Sequence, residues 1–319
     1  MKITKRILLL LSVTLLLIII INYPKLNIIS GYAAKNTSSS VFVANRTVAF
    51  TDATDNNFSP INLASTAISL ENNFASASTL GLLTRKAVYR NGLGSVLITK
   101  GYDANKKELI PKRYIKNTSL AYPFGNKTQN DTLFNTINYE KLDSAVSSIF
   151  ENSHQTRAVL VLYKNQLIAE RYAKGFTKES RILGWSMTKS ILSTVFGIMQ
   201  YQGKLSVQDR APILEWENDD RKKITLHNLL QMNSGLAWDE NYEKISDVTK
   251  MLFLEDDMTK MQQKQQLVDS PNFSWNYSSG TSNLLSGILR KKLGNQQEYL
   301  DYWYRELIDK IGMNSMIVE

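Results

Sequence analysis

The chain has 319 residues, of which 43% are hydrophobic and 21% are charged. This composition supplies a sizeable buried core, which excludes a disordered chain and a small disulfide-stabilised scaffold. The chain contains no cysteine and only two histidines. Chemistry that depends on a thiolate, an iron–sulfur cluster or several imidazoles is therefore excluded as well.

The net charge of +9 is concentrated in part at the N-terminus. The first 33 residues contain no acidic residue and four basic ones, which are Lys2, Lys5, Arg6 and Lys25. Residues 34–319 carry the remaining net charge of +5, and their basic residues are scattered along the chain. The short basic runs at 221–223 and 290–292 are explained by solvated helix ends at least as well as by phosphate contacts. We therefore predict no nucleic-acid partner.

The first 33 residues have the pattern of an export signal. A basic start, Met1–Arg6, precedes the apolar run Ile7–Ile21, and Gly31-Tyr32-Ala33 offers a small-x-small cleavage site. Residues 1–33 are thus either a cleaved signal peptide or a retained signal anchor. Positive residues before the apolar run keep the N-terminus in the cytoplasm. We expect the body of the protein to be exported, either membrane-anchored or periplasmic.

Residues 34–135 are predicted to form an N-terminal exported region and a linker. The stretch 34–75 is rich in Asn, Ser, Thr and Ala, with a β-like patch at Val41–Val43. Strand-like runs at Lys86–Tyr89 and Ser95–Thr99 flank the turn-forming Asn91-Gly92. Residues 101–135 are polar and contain prolines, so they are predicted to be a loop.

Residues 136–319 carry the strongest periodicity and are predicted to form a separate folded domain. Lys164-Asn165 separates two β-rich runs and predicts a hairpin of Ala158–Tyr163 and Gln166–Tyr172. Helical spacing predicts helices before and after this hairpin, over Tyr139–Asn152, Ser186–Tyr201, Thr225–Met232, Thr249–Gln266, Ser282–Leu293 and Gln296–Ile311. This is the order of an α+β protein rather than the alternation of a parallel sheet.

A Ser-x-x-Lys motif lies at the start of one predicted helix. Ser186 and Lys189 are three residues apart and share one helix face, so the amine can reach the hydroxyl. A desolvated lysine has a lowered proton affinity and can activate a serine nucleophile. First-turn N–H groups can stabilise the developing oxyanion. The alternative, a capping serine beside a surface lysine, stays open on this motif alone.

A second candidate site lies 91 residues further on. Tyr277 belongs to a turn rich in small residues, 275–280, that leads directly into a predicted helix. As a phenolate near Lys189, this tyrosine could act as a general base. The alternative is an aromatic side chain that anchors the loop to the core.

Taken together, three segments carry a family resemblance: GWSMTKS at 184–190, ITLHNLLQMNSGL at 224–236 and NYSSGTSNLL at 276–285. In this order they resemble serine hydrolases of the class C beta-lactamase-like family, in particular the branch of 6-aminohexanoate-oligomer hydrolases. The likeness runs from about Tyr139 to the C-terminus. GYAAK at 31–35 and VFV at 41–43 also look like the start of a membrane-associated branch.

The resemblance implies a penicillin-recognising α/β fold, with an antiparallel sheet flanked by a helical domain. It implies that Ser186 is the acylated nucleophile, Lys189 its activating partner and Tyr277 the proton-transfer base. Ser279 stands where the family often has Asn, so its hydroxyl is expected to contribute to substrate binding in an altered way. His227 is interpreted as structural, which disfavours a Ser-His-Asp triad.

The resemblance also implies further sheet strands and a third motif, Lys-Thr-Gly or an equivalent, beyond Ile311-Gly312-Met313. No such segment follows Tyr277 in the sequence. We therefore expect a catalytic domain that lacks C-terminal strands and one of its two oxyanion donors. Loss of one donor costs about a hundredfold to a thousandfold in rate.

These observations favour an exported serine hydrolase that cleaves amide or ester bonds through an acyl-enzyme on Ser186. Its expected partners are a small-molecule or short peptide-like substrate and, through the N-terminal segment, the membrane. No metal or organic cofactor is implied. The alternatives are a catalytically inactive truncated homologue and a membrane-tethered binding protein or adaptor. The sequence leaves the substrate open among β-lactams, D-amino-acid peptides, amide oligomers and esters.

Overall fold

A computed structural model describes residues 2–106, 108–115, 119–125, 127–129, 132–151 and 155–319. The chain divides into two compact units. The first combines Met1–Pro111, Gly184–Leu300 and Ile317–Glu319, and the second combines Lys112–Leu183 and Asp301–Met316. Ser186, Lys189, Tyr277 and Ser279 all belong to the first unit.

The first unit begins with a long helix and a four-stranded sheet. Helix α1 spans Lys2–Ser38, continues into a π-helical turn at Ser39–Val43, and is followed by α2 at Val48–Ala53. The strands are β1 (Ala64–Ser69), β2 (Phe74–Thr79), β3 (Leu83–Arg90) and β4 (Gly94–Leu97). They form an antiparallel meander in the order β1-β2-β3-β4.

The C-terminal half of α1 packs against this sheet through small side chains. Ala33 and Ala34 of the helix and Ala77 and Ala87 of the sheet belong to one buried cluster, together with larger residues such as Ile29. Because these side chains are small, the helix and the sheet approach closely, and polar groups pair across the contact. Ser30 Oγ donates to the Leu83 carbonyl at 2.8 Å.

The rest of the first unit is helical. A 3₁₀ turn at Trp185–Met187 leads into α4 (Thr188–Tyr201), and four further helices follow: α5 (Leu226–Leu230), α6 (Asp247–Phe253), α7 (Thr259–Gln263) and α8 (Ser279–Lys292). Helix α8 packs against α4, α5, α6 and α7. The apolar residues that α8 buries in the core recur at helical spacing: Leu284, Leu285, Ile288 and Leu289.

The second unit contains α3 (Tyr139–Ile149) and a hairpin of β5 (Ala158–Tyr163) and β6 (Gln166–Tyr172). Helix α9 (Gln296–Trp303) begins in the first unit and ends in the second, where a π-helical turn at 304–308 follows. An ion pair holds residues of this unit that are far apart in sequence. Arg113 Nη2 lies 2.5 Å from Oδ1 of the buried Asp309.

Several predicted elements are confirmed. The hairpin has the predicted bounds, and positive φ angles of 48° at Lys164 and 60° at Asn165 form its tight turn. The strand pair around Asn91-Gly92 is present as β3 and β4. Antiparallel sheets combined with helices confirm the mixed α/β fold class. Helix α3 ends at Ile149, so the described residues Phe150 and Glu151 are not part of it as predicted. Asn152, the last residue of the predicted range, lies outside the described residues.

Other predictions are wrong. The β-like patch Val41–Val43 is part of a π-helical turn, because it extends α1 rather than pairing with a strand. The stretch 34–75, for which only that β-like patch was predicted, also contains the end of α1, α2, β1 and the start of β2. The single helix predicted over Thr249–Gln266 is two helices, α6 and α7, with Leu254 capping the first.

Candidate active site

Ser186 lies in the middle of the 3₁₀ turn Trp185–Met187, which we call the nucleophile turn. Its side chain is exposed, whereas Lys189, in the first turn of α4, is half-buried. Lys189 Nζ donates a hydrogen bond to Ser186 Oγ at 3.0 Å. The predicted pairing of the serine and the lysine on one helix face is therefore present in the structure.

The nucleophile turn has an unusual backbone. Trp185, immediately before the serine, has a φ of 40°, in the left-handed region that side chains other than glycine rarely adopt. Such a conformation costs on the order of 1–3 kcal/mol and persists only where surrounding contacts hold it. One such contact is with α1: the Tyr32 and Trp185 rings stack with centroids 6.1 Å apart and planes at 15°.

Lys189 also contacts the predicted tyrosine loop. Its Nζ donates to Ser279 Oγ at 3.1 Å and lies 4.9 Å from the centroid of the Tyr277 ring. The second contact has the geometry of a cation–π interaction. Lys189 thus joins all the residues that the sequence nominated: Ser186 through one hydrogen bond, Ser279 through another and Tyr277 through its ring.

The loop is held in place at the start of α8. Ser278 caps this helix by accepting from the Thr281 N–H at 2.9 Å, and its own hydroxyl donates to Gln262 Oε1 at 3.1 Å. Gly280 is required by close packing. A Cβ at this position would lie 2.5 Å from both Gln262 Oε1 and Trp238 Cζ3. The small residues of the motif therefore let the tyrosine loop approach its neighbours closely.

Glu240, which no sequence motif indicated, is a carboxylate at the site and contacts Ser279. Glu240 Oε2 accepts hydrogen bonds from the Ser279 N–H at 2.8 Å and from Trp238 Nε1. Glu240 Oε1 accepts from Ser279 Oγ and, at 2.9 Å, from the Tyr242 hydroxyl. Trp238, Glu240, Tyr242 and Ser279 are called the Glu240 cluster below.

The Glu240 cluster left only a weak signal in the sequence. The stretch WDENY at 238–242 is separated from the ITLHNLLQMNSGL segment by one residue, and it concentrates two acids and two aromatic residues. Its partner Ser279 lies 39 residues further along the chain. No periodicity or spacing rule links residues so far apart.

Tyr242 is a weaker acid in this setting than in water. Burial, followed by the hydrogen bond to Glu240 and the charge of that carboxylate, raises the pKa of Tyr242 to about 12. A hydrogen bond with Ser279, whose Oγ lies 3.4 Å from the phenol oxygen, acts in the opposite direction. Tyr242 therefore remains a neutral hydrogen-bond donor at neutral pH.

A continuous path of hydrogen bonds runs through the site, from Glu240 through the Ser279 hydroxyl and the Lys189 amine to Ser186 Oγ. The Glu240 carboxylate accepts at one end, the Lys189 amine donates at the other, and the Ser279 hydroxyl lies between them. Such a path can fix the direction of the lysine donors and can carry a proton to or from Ser186 Oγ.

The remaining site predictions are placed as follows. His227 lies on α5, whose first turn is closed by a capping box of Thr225 and Asn228. Its backbone N–H donates to the Val207 carbonyl at 2.7 Å. Within the described residues, no group of three or more His, Cys, Asp or Glu side chains is arranged to hold a metal ion.

A mixed α/β domain with a Ser-x-x-Lys pair at the start of a helix is the arrangement of beta-lactamase-like serine hydrolases. A family model described as Beta-lactamase matches residues 144–318, more than half of the chain. The chain therefore belongs to the Beta-lactamase family.

Two solved structures are similar to the chain. A Bacillus anthracis protein assigned as a 6-aminohexanoate-dimer hydrolase has 18% identity and a TM-score of 0.43, over 52% of this chain and 46% of its own. A Bacteroides dorei protein assigned as a beta-lactamase has 19% identity and a TM-score of 0.45, over 54% of this chain and 51% of its own. The chain thus spans about half the length of each of these proteins. No curated protein matches it.

Proposed function

We propose that this protein is an exported serine hydrolase that cleaves amide or ester bonds through an acyl-enzyme on Ser186. The observation that carries the proposal is the 3.0 Å contact between Lys189 Nζ and Ser186 Oγ at the start of α4. An exposed hydroxyl with an amine in hydrogen-bond reach is the pairing that nucleophilic catalysis by serine requires.

In the first half of the reaction, Ser186 Oγ attacks the carbonyl carbon of the substrate. The serine proton passes to a basic group at the site, either the neutral amine of Lys189 or the phenolate of Tyr277, whose ring contacts Lys189. The carbonyl π electrons move onto oxygen and form a tetrahedral oxyanion. We expect backbone N–H groups at the start of α4 to stabilise this charge.

Collapse of the oxyanion then breaks the bond to the leaving amine or alcohol. The proton taken from Ser186 is returned to that leaving group, so charge and atoms balance. In the second half, water attacks the acyl-serine and the same base accepts its proton. Collapse releases the carboxylic acid and restores the Ser186 hydroxyl.

The Glu240 cluster supports this chemistry through the contact of Ser279 with Lys189. Ser279 is 6% exposed, and its hydroxyl donates to Glu240 while accepting from Lys189. We interpret Ser279 mainly as a residue that orients Lys189, and its predicted role in substrate binding remains a proposal. Glu240 fixes Ser279 in turn through both its backbone N–H and its hydroxyl.

The substrate is proposed to be a small molecule or a short peptide-like compound. Exposed aromatic and apolar side chains flank the two motifs: Trp185 and Met187 beside the serine, and Phe273 and Trp275 before the tyrosine. Such side chains offer apolar contact to an acyl chain or to the flanking groups of an amide.

Export is proposed from α1. This helix is long and apolar enough to cross a membrane, with a mean hydropathy of 2.5 in its most apolar window, and none of that window is buried in the protein. The basic start places the N-terminus in the cytoplasm and the catalytic residues outside it.

A fluorophosphonate probe, which phosphonylates activated serines, tests the proposal. Wild-type protein is expected to be labelled at a single site, and Ser186→Ala is expected to lose all labelling because the attacking oxygen is gone. Ser193→Ala, at an exposed serine on the same helix, is the matched control and should be labelled like wild type. Peptide mass mapping identifies the labelled serine.

Thermal melting separates a chemical effect from misfolding, since Ser186 is exposed and its truncation should leave the melting temperature within a degree or two. Folded wild-type protein that resists the probe would contradict the hydrolase and favour the inactive homologue or the binding protein. Labelling that persists in Ser186→Ala would place the nucleophile elsewhere.

A further inference from the structure

Helix α1 has two halves with opposite surroundings. From Ile7 to Ile21, the large apolar side chains that the structure describes are 48–69% exposed. From Ile29 onward the helix is enclosed, and Ser30, Ala33, Ala34 and Thr37 are 0% exposed. The 37-residue helix runs through both halves without a break. Its length is about 55 Å at 1.5 Å per residue, whereas a bilayer core takes up about 30 Å.

The enclosed half is part of the core of the first unit. It supplies Ile29, Ala33 and Ala34 to the cluster that also contains sheet residues and Phe253 of α6. Gly31 is tightly packed, since a Cβ there would lie 3.2 Å from Leu97 Cδ2. Cleavage after the Gly31-Tyr32-Ala33 site would cut fully buried backbone and remove part of this core.

The same turn of α1 reaches the nucleophile turn. Tyr32 stacks on Trp185, and it also contacts Phe58 edge-on with centroids 5.4 Å apart and Phe253 at 5.8 Å. Trp185 itself is 48% exposed. The ring of Tyr32 is therefore well placed to hold Trp185 in its left-handed conformation, next to Ser186.

We infer that Tyr32 is a positioning residue for the nucleophile and that α1 is consequently retained as an uncleaved anchor. In this arrangement the anchor is more than a tether, because its buried half holds the turn that presents Ser186 to Lys189. The inference deepens the proposed function and rests on it for its consequence in catalysis. Its structural content can be tested without any hydrolase activity.

The absence of cysteine makes a direct test available. Ser186→Cys introduces a single thiol, and its alkylation rate against pH reports the thiol pKa. A nearby ammonium lowers a thiol pKa below its usual value of about 8.5. We expect the pH midpoint of alkylation in Ser186→Cys to lie below that of an ordinary thiol, because Lys189 contacts this position. Addition of Tyr32→Leu should raise the midpoint by about one pH unit, since the turn is released from Lys189.

Two further variants separate positioning from general stability. Tyr32→Phe keeps the stacked ring and should restore the lowered midpoint. Phe42→Ala removes a comparable stacked pair in the same unit, in which the ring centroids of Phe42 and Tyr89 lie 5.3 Å apart. This variant should lower the melting temperature without moving the pH midpoint of alkylation. An unchanged midpoint in folded Tyr32→Leu, or an equal shift in Phe42→Ala, would overturn the positioning role.

Retention is tested by the intact mass of the full chain after export in a bacterial host. The uncleaved mass in the membrane fraction is expected, and a folded, probe-reactive soluble form that begins at Ala34 would overturn the inference. With an unmodified Ser186, Tyr32→Leu should slow fluorophosphonate labelling about tenfold and Tyr32→Phe should not. If wild type is never labelled but the thiol midpoint still shifts with Tyr32→Leu, the proposed function fails and the positioning role stands.

Discussion

The nucleophile turn and the Glu240 cluster contact Lys189 from different sides, and different interactions hold them. The nucleophile turn is exposed, has a left-handed tryptophan and rests against α1 through a stacked ring. The Glu240 cluster centres on one carboxylate that accepts from four donors, and its Ser279 is 6% exposed. Ser186, the proposed nucleophile, is therefore exposed to solvent, while Lys189 is oriented by a hydrogen-bond network that is costly to break.

The largest effect is expected from removing the amine of Lys189, which both the nucleophile turn and the Glu240 cluster contact. Lys189→Met keeps the length of the side chain but eliminates the amine that reaches Ser186 and Ser279. We expect fluorophosphonate labelling to fall about a thousandfold, because general acid–base assistance of this kind contributes roughly 10²–10⁴ in rate. The measurement is the second-order labelling rate, with Lys292→Met, at an exposed lysine of α8, as the control.

A Lys189→Met protein that is labelled within threefold of wild type would contradict the role of the lysine. In that case the 3.0 Å contact would be structural, and another group would have to accept the serine proton.

Removing the charge of the Glu240 cluster should have an intermediate effect. Glu240→Gln replaces one acceptor oxygen by an NH₂ donor, so at least one of the Ser279 donors loses its partner. We expect labelling to slow about tenfold to a hundredfold and stability to fall by about 1–3 kcal/mol. The slowing should appear in the maximal labelling rate rather than in the probe concentration at half-saturation, because the cluster orients Lys189.

Glu243→Gln is the matched control, since Glu243 is an exposed carboxylate three residues further on. If Glu240→Gln changes stability alone and leaves the maximal rate unchanged, the cluster holds the fold but does not orient the lysine.

The smallest effect is expected at high pH. The pKa of Tyr242 is raised to about 12 by burial and by Glu240, above the value of 10.0 for a free phenol. The folded state thus favours the protonated phenol, and this stabilisation is complete below pH 10 and disappears as the pH rises towards 12. The melting temperature of wild type should fall over this range, and Tyr242→Phe should lack that part of the fall.

Absorbance at 295 nm offers a second measurement. The difference between the titrations of wild type and Tyr242→Phe should be one phenol that ionises near pH 12. A difference centred near pH 10 would show that Glu240 and burial do not influence this tyrosine in solution.

Local features were predictable because their causes lie within a few residues. The β5–β6 hairpin follows from two β-rich runs around Lys164-Asn165, and the Ser186–Lys189 contact follows from helical spacing. Strands β1 and β2 were missed for the opposite reason. Their small residues form strands because they pack on α1, and no propensity within Ala64–Ser69 or Phe74–Thr79 indicates that partner.

The Glu240 cluster and the contact of Tyr32 with Trp185 lay beyond prediction on the same grounds. Ser279 lies 39 residues from Glu240, and Trp185 is still further along the chain from Tyr32. No sequence pattern links such partners, because a hydrogen bond or a ring contact requires only proximity in space. The family resemblance covered the motif residues but left these supporting residues unassigned.

The sequence by itself was enough to predict Ser186, Lys189 and the tyrosine loop 275–280 as candidate site residues. It also predicted the α+β order of elements and the apolar N-terminal segment, since each of these features depends on residue type and short-range spacing. Only the tertiary structure decided that Lys189 contacts Ser186, Ser279 and the Tyr277 ring together, and that Glu240 holds Ser279. It also decided that the second half of α1 is core. These arrangements depend on which surfaces meet when the chain packs, and that is set by the whole chain rather than by any one segment.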